Sequence, residues 1–397
     1  MTADPRAFQD ARVALDPAQV IAEARQQTGF SDFGGESFRE GLGVLVDSLE
    51  REARLNAAGR QAAQHHLLRL LESRLRIEDW HRRHPEIAAQ RVAGPLIVIG
   101  LPRTGTTALA RLLARDPDTR ALRTWESSSP TPPPEAATQH SDPRIAATQA
   151  GIDAMRAQNP GYQAMYDADA DDPSECQDLL GMEFRAQHFC GSYWVPGFGR
   201  WQKDCDMRPG YAYHRRTLQL LQWRCGPERW LLKTPTHMLS LDALNETYPD
   251  ARFIMTHRDP AKVLASVCSL MGFIISGTTD SLDRAGLAAL NFETWAEALE
   301  RTLAFRRRVG EARFADLHFH EQLADPVGSV ERAYARLGLP FSSSARKRMQ
   351  AWVREHRRGQ HGEHRYRLSD WGLDAGAVRE RYAFYIKHFD VRVEADP

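Results

Sequence analysis

Residues Pro95-Leu-Ile-Val-Ile-Gly100 form an unbroken apolar run that stops at a glycine, runs into Leu-Pro-Arg-Thr-Gly105-Thr-Thr107, and gives way to a helical pattern. A continuous, β-branched apolar run is what a strand buried on both faces requires. A glycine-bounded turn that opens a helix aims backbone N–H groups and the positive end of the helix dipole at whatever lies before it. Three further runs, Arg229 to Lys233, Arg252 to His257 and Phe314 to Phe319, are strand-like and each precedes a helical stretch. Strand and helix in alternation predict an α/β fold, with a P-loop-like parallel sheet flanked by helices.

Ahead of this core, residues 1–90 read as an N-terminal helical region packed on it. Asp16-Pro17 is a cap with proline in the first turn, Phe38, Leu42, Leu45 and Leu49 recur at helical spacing, and Leu67, Leu68, Leu71 and Leu75 mark a third helix. Residues 91–397 read as the α/β domain, with a helical insertion at about 140–225, where Trp, Tyr, Phe, Cys and Met concentrate. Ala121 to Trp125 reads as a short strand-like segment that would put Glu126 at a strand end. The proline cluster after Ser129 reads as a loop over the sheet edge.

Lys+Arg and Asp+Glu both number 52, so the chain has no global field to draw nucleic acid or an anionic membrane, and any anion site must be local. The five cysteines, Cys176, Cys190, Cys205, Cys225 and Cys268, are odd in number and include no CxxC pair, which reads as reduced thiols. The start of the chain is polar and acidic, and the longest apolar run is too short to span a bilayer, so the expectation is a cytoplasmic protein with no membrane span.

The spacing of Gly100 and Gly105 matches the phosphate loop of nucleotide hydrolases. Thr106, however, stands where those proteins place lysine, and Thr107 takes the Ser/Thr position. The other core strands end in Lys233 and His257-Arg258, which would repel a divalent cation rather than hold one. Arg103 adds a cation inside the loop. The site reads as one for an anion without a metal, against the plain alternative of a glycine turn joining strand to helix.

A second anion element is Phe253-Ile-Met-Thr-His-Arg258-Asp-Pro260, with Arg258 at a strand end and Ser266 two turns into the next helix. Two anion elements suggest a doubly phosphorylated nucleotide. The bland alternative pairs Arg258 with a neighbouring carboxylate and turns Ser266 into the core.

Together these residues resemble the sulfotransferases that use 3′-phosphoadenosine-5′-phosphosulfate (PAPS), in particular a bacterial group whose phosphate loop reads Gly-x-Pro-Arg-Thr-Gly-Thr-Thr. The resemblance rests on Leu101-Pro-Arg-Thr-Gly-Thr-Thr107, Lys233-Thr-Pro-Thr-His237, Arg258-Asp-Pro with Ser266, Leu323-Ala-Asp-Pro, and Tyr366-x4-Trp-Gly-Leu373. It implies transfer of a sulfuryl group from PAPS to a hydroxyl or amine of a small or medium-sized acceptor, leaving adenosine 3′,5′-bisphosphate, with no metal. Pro102, Arg103, Thr104, Gly105, Thr106 and Thr107 would grip the 5′-phosphosulfate, and Arg258 and Ser266 the 3′-phosphate. Many cytosolic members carry lysine where this chain has Arg103, a bidentate fork rather than a point charge.

In-line sulfuryl transfer asks for a base at the acceptor and positive charge at the leaving phosphate oxygen. His237 is one candidate base, in a neighbourhood similar to the Lys-Thr-His of cytosolic members, and Glu175 in Asp171-Asp-Pro-Ser-Glu175 is the rival. Lys233 would neutralise the sulfonate or reach solvent, and Glu126 would orient the acceptor. Arg357, Arg358 and Tyr366, in the basic segment 354–367, are candidates for the 3′-phosphate or adenine, against a solvated loop. His318 with His320 and the adjacent pair His65-His66 do not read as metal sites.

Two other functions fit parts of the pattern: a P-loop nucleotide kinase or NTPase, and a non-catalytic nucleotide-binding protein. Two-fold self-association suits such folds, though no heptad or flat apolar stripe requires a homodimer.

Overall fold

The computed structural model describes residues 14–159, 168–226, 229–356 and 366–395. Its centre is a five-stranded, wholly parallel sheet: β1 (Leu96–Gly100), β2 (Thr119–Ala121), β3 (Arg229–Lys233), β4 (Arg252–His257) and β5 (Phe314–His318), in the order β2-β3-β1-β4-β5. The mixed α/β architecture is the one the strand-helix alternation implies.

The apolar runs earn their burial on both faces. Ile97 and Ile99 of β1, Trp230 and Leu232 of β3, and Phe253 and Met255 of β4 enter one core. Leu96, Val98, Leu231 and Ile254, one position out of phase, enter a second on the opposite face. The first core also takes Phe38, Leu42, Leu45, Leu49, Leu67, Leu71 and Leu75 from the helices Phe38–Arg51 and Ala57–Arg83. The second is closed by Leu109, Leu112 and Leu113 of the helix Thr106–Leu113 and by Val330 and Tyr334 of Pro326–Arg336.

Asp16 caps the first helix, Pro17–Thr28, by accepting from the Ala18 N–H. The stretch read as an insertion is helical where it is described: Pro143–Gln158, Gln177–Gly181, His188–Ser192, Pro196–Asp204 and Arg208–Gln222. One buried pair ties it to the N-terminal helices. Arg74 donates to Glu183 at 2.6 Å, to the Met182 carbonyl at 3.1 Å and to the Phe33 carbonyl at 2.8 Å, with both side chains of the pair only 2% exposed.

One segment differs from expectation. The strand ends at Ala121, and Thr124–Ser128 is a short helix instead of a strand extension. Glu126 is therefore no strand-end carboxylate facing an acceptor. It is fully buried, with Arg120 at 2.6 Å and Arg123 at 2.8 Å, and it caps its own helix by accepting from the Arg123 N–H. Two arginines on one buried carboxylate make this a structural knot.

Candidate active site

Ligands in open parallel sheets sit beyond the carboxyl ends of the strands, where the order reverses. Here β1 lies between β3 and β4, and a cavity of about 760 Å³ opens around the loop that follows β1. A second cavity of about 800 Å³ adjoins it, and the two share Arg258, Phe319 and Tyr366 as walls.

The loop is held by backbone geometry and one buried hydroxyl. Gly100, Arg103 and Gly105 have φ of 130°, 64° and 88°, so successive N–H groups turn inward, and Gly105 is the N-cap of the helix Thr106–Leu113. A Cβ at Gly100 would lie 2.4 Å from Thr256 Oγ1, and its φ is one that side-chain-bearing residues rarely adopt. Thr104 is fully buried. Its hydroxyl donates to the Leu101 carbonyl at 2.6 Å and lies 2.5 Å from Thr256 Oγ1, so its side chain bolts the loop to β4 instead of facing a ligand. Pro102, Arg103, Gly105, Thr106 and Thr107 do line the cavity.

The two anion elements are joined. Arg103 Nε donates to Ser266 Oγ at 3.0 Å, and Arg258 Nη1 donates to the Arg103 carbonyl at 3.1 Å. Ser266 rides on the helix Pro260–Ser276, which Asp259 caps and Pro260 opens. Arg258 lies over the Phe319 ring, 4.1 Å from its centre, and donates through Nε and Nη2 to Glu394 at 2.7 and 3.0 Å.

Glu175 faces the same cavity. Lys233 Nζ at 3.2 Å and Thr234 Oγ1 at 3.2 Å donate to its two oxygens. The end of β3 holds the whole segment, since the Cys176 N–H donates to the Lys233 carbonyl at 3.0 Å and Gln177 donates to Thr234 at 2.8 Å.

His237, the other candidate base, is turned away. Pro235 opens a 3₁₀ turn that carries the ring inward, where it is 1% exposed and its Nδ1 sits 2.9 Å from the Tyr211 hydroxyl. Burial, with a smaller push from His214, holds its pKa well below the ordinary histidine value. It does not line the cavity. Lys233 is likewise 3% exposed and off the cavity wall, with its Nζ on Glu175.

Residues the sequence reading passed over complete the walls. Val267, Leu270, Met271, Ile274 and Trp295 give the cavity an apolar lining, and Gln177, Asp178 and His188 a polar one. Arg357 and Arg358 lie outside the described residues; Tyr366, which closes that segment, lines both cavities. Among the described residues, no helix is long and apolar enough to cross a membrane.

Comparison with known proteins agrees with this architecture. A model of the sulfotransferase family matches residues 95–343. The crystal structure of sulfotransferase STF1 from Mycobacterium tuberculosis is 34% identical, with a TM-score of 0.84 over 94% of this chain and 99% of that one. STF9 from Mycobacterium avium is 31% identical, with a TM-score of 0.88 over 97% and 99%. Among curated proteins, the omega-hydroxy-beta-dihydromenaquinone-9 sulfotransferase Stf3 of Mycobacterium bovis and of Mycobacterium tuberculosis is 30% identical over 132 residues, and the match spans about a third of those relatives' length (33%).

Proposed function

The chain belongs to the sulfotransferase family, and from that premise we propose that it transfers a sulfuryl group from PAPS to an alcohol on an acceptor with an apolar body. The observation that carries this reading is the contact of Arg103 with Ser266 and of Arg258 with the loop backbone. It sets two cations and an inward-turned loop at one end of a cavity whose other wall presents Glu175. The loop N–H groups with Thr106 and Thr107 suit the 5′-phosphosulfate; Arg258 and Ser266 suit the 3′-phosphate. The second cavity, with Phe319 and Tyr366 at its mouth, suits the adenosine.

In the proposed step Glu175 accepts the acceptor's hydroxyl proton. The freed oxygen attacks sulfur, the bond from sulfur to the 5′-phosphate oxygen breaks in line, and the charge gained by that oxygen falls to Arg103 and the loop N–H groups. Lys233 and Thr234 position the carboxylate. An apolar acceptor body suits the wall of Val267, Leu270, Met271, Ile274 and Trp295, and the relatives named for omega-hydroxy-beta-dihydromenaquinone-9 support a terminal alcohol on a lipid-like chain.

Calorimetry of adenosine 3′,5′-bisphosphate binding without metal, on the wild type and on Arg258→Ala, tests the donor assignment. Metal-free binding that the substitution weakens at least tenfold, the scale of a lost charge-assisted hydrogen bond, supports it. Binding of ATP with magnesium alone would return the kinase reading to the lead.

A further inference from the structure

We propose that His66, His188 and Asp178 form a binding site for a zinc-class divalent cation in the wall of the cavity that Glu175 faces. His66 comes from the helix Ala57–Arg83, Asp178 from Gln177–Gly181 and His188 from the start of His188–Ser192. The fold thus assembles a two-histidine, one-carboxylate set from residues that are 122 positions apart at the widest histidine pair. One ligand atom from each residue lies within 4.8 Å of the others, and Asp178 and His188 face the cavity.

The geometry of the imidazoles is that of two neighbouring ligands. Their Nε2 atoms are 3.1 Å apart and their ring centres 4.9 Å apart, so the rings diverge from their nitrogen edges. A point about 2.0–2.1 Å from both nitrogens, the usual zinc–imidazole distance, sees them roughly 100° apart, between the octahedral and tetrahedral angles. Lines from that point through the nitrogens reach ring centres separated by about the observed amount. A collinear N–H···N bond between the rings would hold the centres farther apart and would give Asp178 no part.

The surrounding groups are those that fix ligands. Tyr193 Oη lies 3.5 Å from His66 Nδ1, on the far side of that ring from the proposed ion. Arg69 donates to Asp178 Oδ1 at 2.7 Å and Ser127 donates to Oδ2 at 3.2 Å, orienting the carboxylate while a lone pair of Oδ2 stays available. The Arg69 charge also weakens the hold on a cation, so the expected affinity is on the order of micromolar, far short of a structural zinc site. Three protein ligands leave a position open toward the cavity, where an oxygen of a bound small molecule can enter.

The test is a zinc titration of chelator-treated, dialysed full-length protein, followed by calorimetry, with cobalt(II) absorption as a second readout. One ion per chain should bind. His66→Ala and His188→Ala should each weaken binding about tenfold to a hundredfold, the exposed neighbour His65→Ala should leave it unchanged, and Arg69→Gln should tighten it. Absence of stoichiometric uptake, or uptake indifferent to the ligand substitutions, overturns the proposal. Should a ligand variant fail to fold, the wild-type cobalt spectrum decides: intense four- or five-coordinate bands support the site, and weak six-coordinate bands overturn it.

Discussion

Arg258 gives both Nε and Nη2 to the carboxylate of Glu394, and Glu394 is itself anchored: its N–H donates to Asp259 Oδ2 at 2.9 Å and its carbonyl accepts from Arg379 at 2.9 Å. Those two guanidinium donors cannot serve Glu394 and a phosphate at once. Glu394→Gln should therefore tighten adenosine 3′,5′-bisphosphate about two- to fivefold in calorimetry, since a partly exposed ion pair contributes up to about 1 kcal/mol. Unchanged or weaker binding would mean that Glu394 does not compete with the nucleotide.

Glu175 and His237 separate cleanly by kinetics. Glu175→Gln should lower kcat about 10²- to 10⁴-fold, the range for a lost general base, with nucleotide affinity unchanged. His237→Ala should act on stability instead, lowering it by about 1–3 kcal/mol through the unpaired Tyr211 hydroxyl. A His237 variant that folds normally yet loses kcat as severely as the Glu175 variant would reverse the assignment.

Lys233→Met removes the cation beside Glu175. The carboxylate then keeps Thr234 as its donor from β3 and loses the fixed cation that orients it, so kcat should fall about tenfold with adenosine 3′,5′-bisphosphate affinity unchanged. An unchanged kcat would show that Lys233 does not position the carboxylate.

Glu183→Gln should cost about 3–5 kcal/mol in urea denaturation, because Arg74, 1% exposed, would lose its carboxylate partner inside the protein. A loss below about 1 kcal/mol would mean that the neighbouring carbonyls suffice.

Acid should unfold the chain early. Burial lowers His214 to about 3, and burial followed by the Arg216 charge lowers His81 to about 4. Both rings are neutral in the fold and titrate near 6.5 once unfolded, so the unfolded state binds more protons as pH falls. Each then removes up to about 1.4 kcal/mol of stability per pH unit below about 6.5, until its folded pKa is reached. Melting temperatures at pH 7.5, 6 and 5 should fall in that order, and a constant value to pH 5 would contradict the burial argument.

What could be read from the sequence was what is encoded locally. β1, its loop and the Arg258-Ser266 element each fit within a dozen residues, and apolar runs with glycine or proline boundaries mark them. A loop pattern does not say which hydroxyl turns inward, and here it is Thr104 that meets Thr256. Nor does it say which way a ring points when one 3₁₀ turn decides it, as for His237. The partnership of Arg258 with Glu394, 136 residues later, and the meeting of His66 with His188 arise only from tertiary packing and leave no periodic trace.

The knot of Arg74 with Glu183 has a consequence for anyone recombining relatives of this protein. The stretch recognised as family-like starts at residue 95, yet its middle portion borrows a guanidinium from residue 74 and an aromatic bed that includes Phe38 and Phe184. A chimera that exchanges residues 140–225 alone would strand the buried Arg74 against an unmatched neighbour. The transferable unit is the middle stretch together with its N-terminal helices, and crossover points belong near residues 90 and 140 and after Gln222.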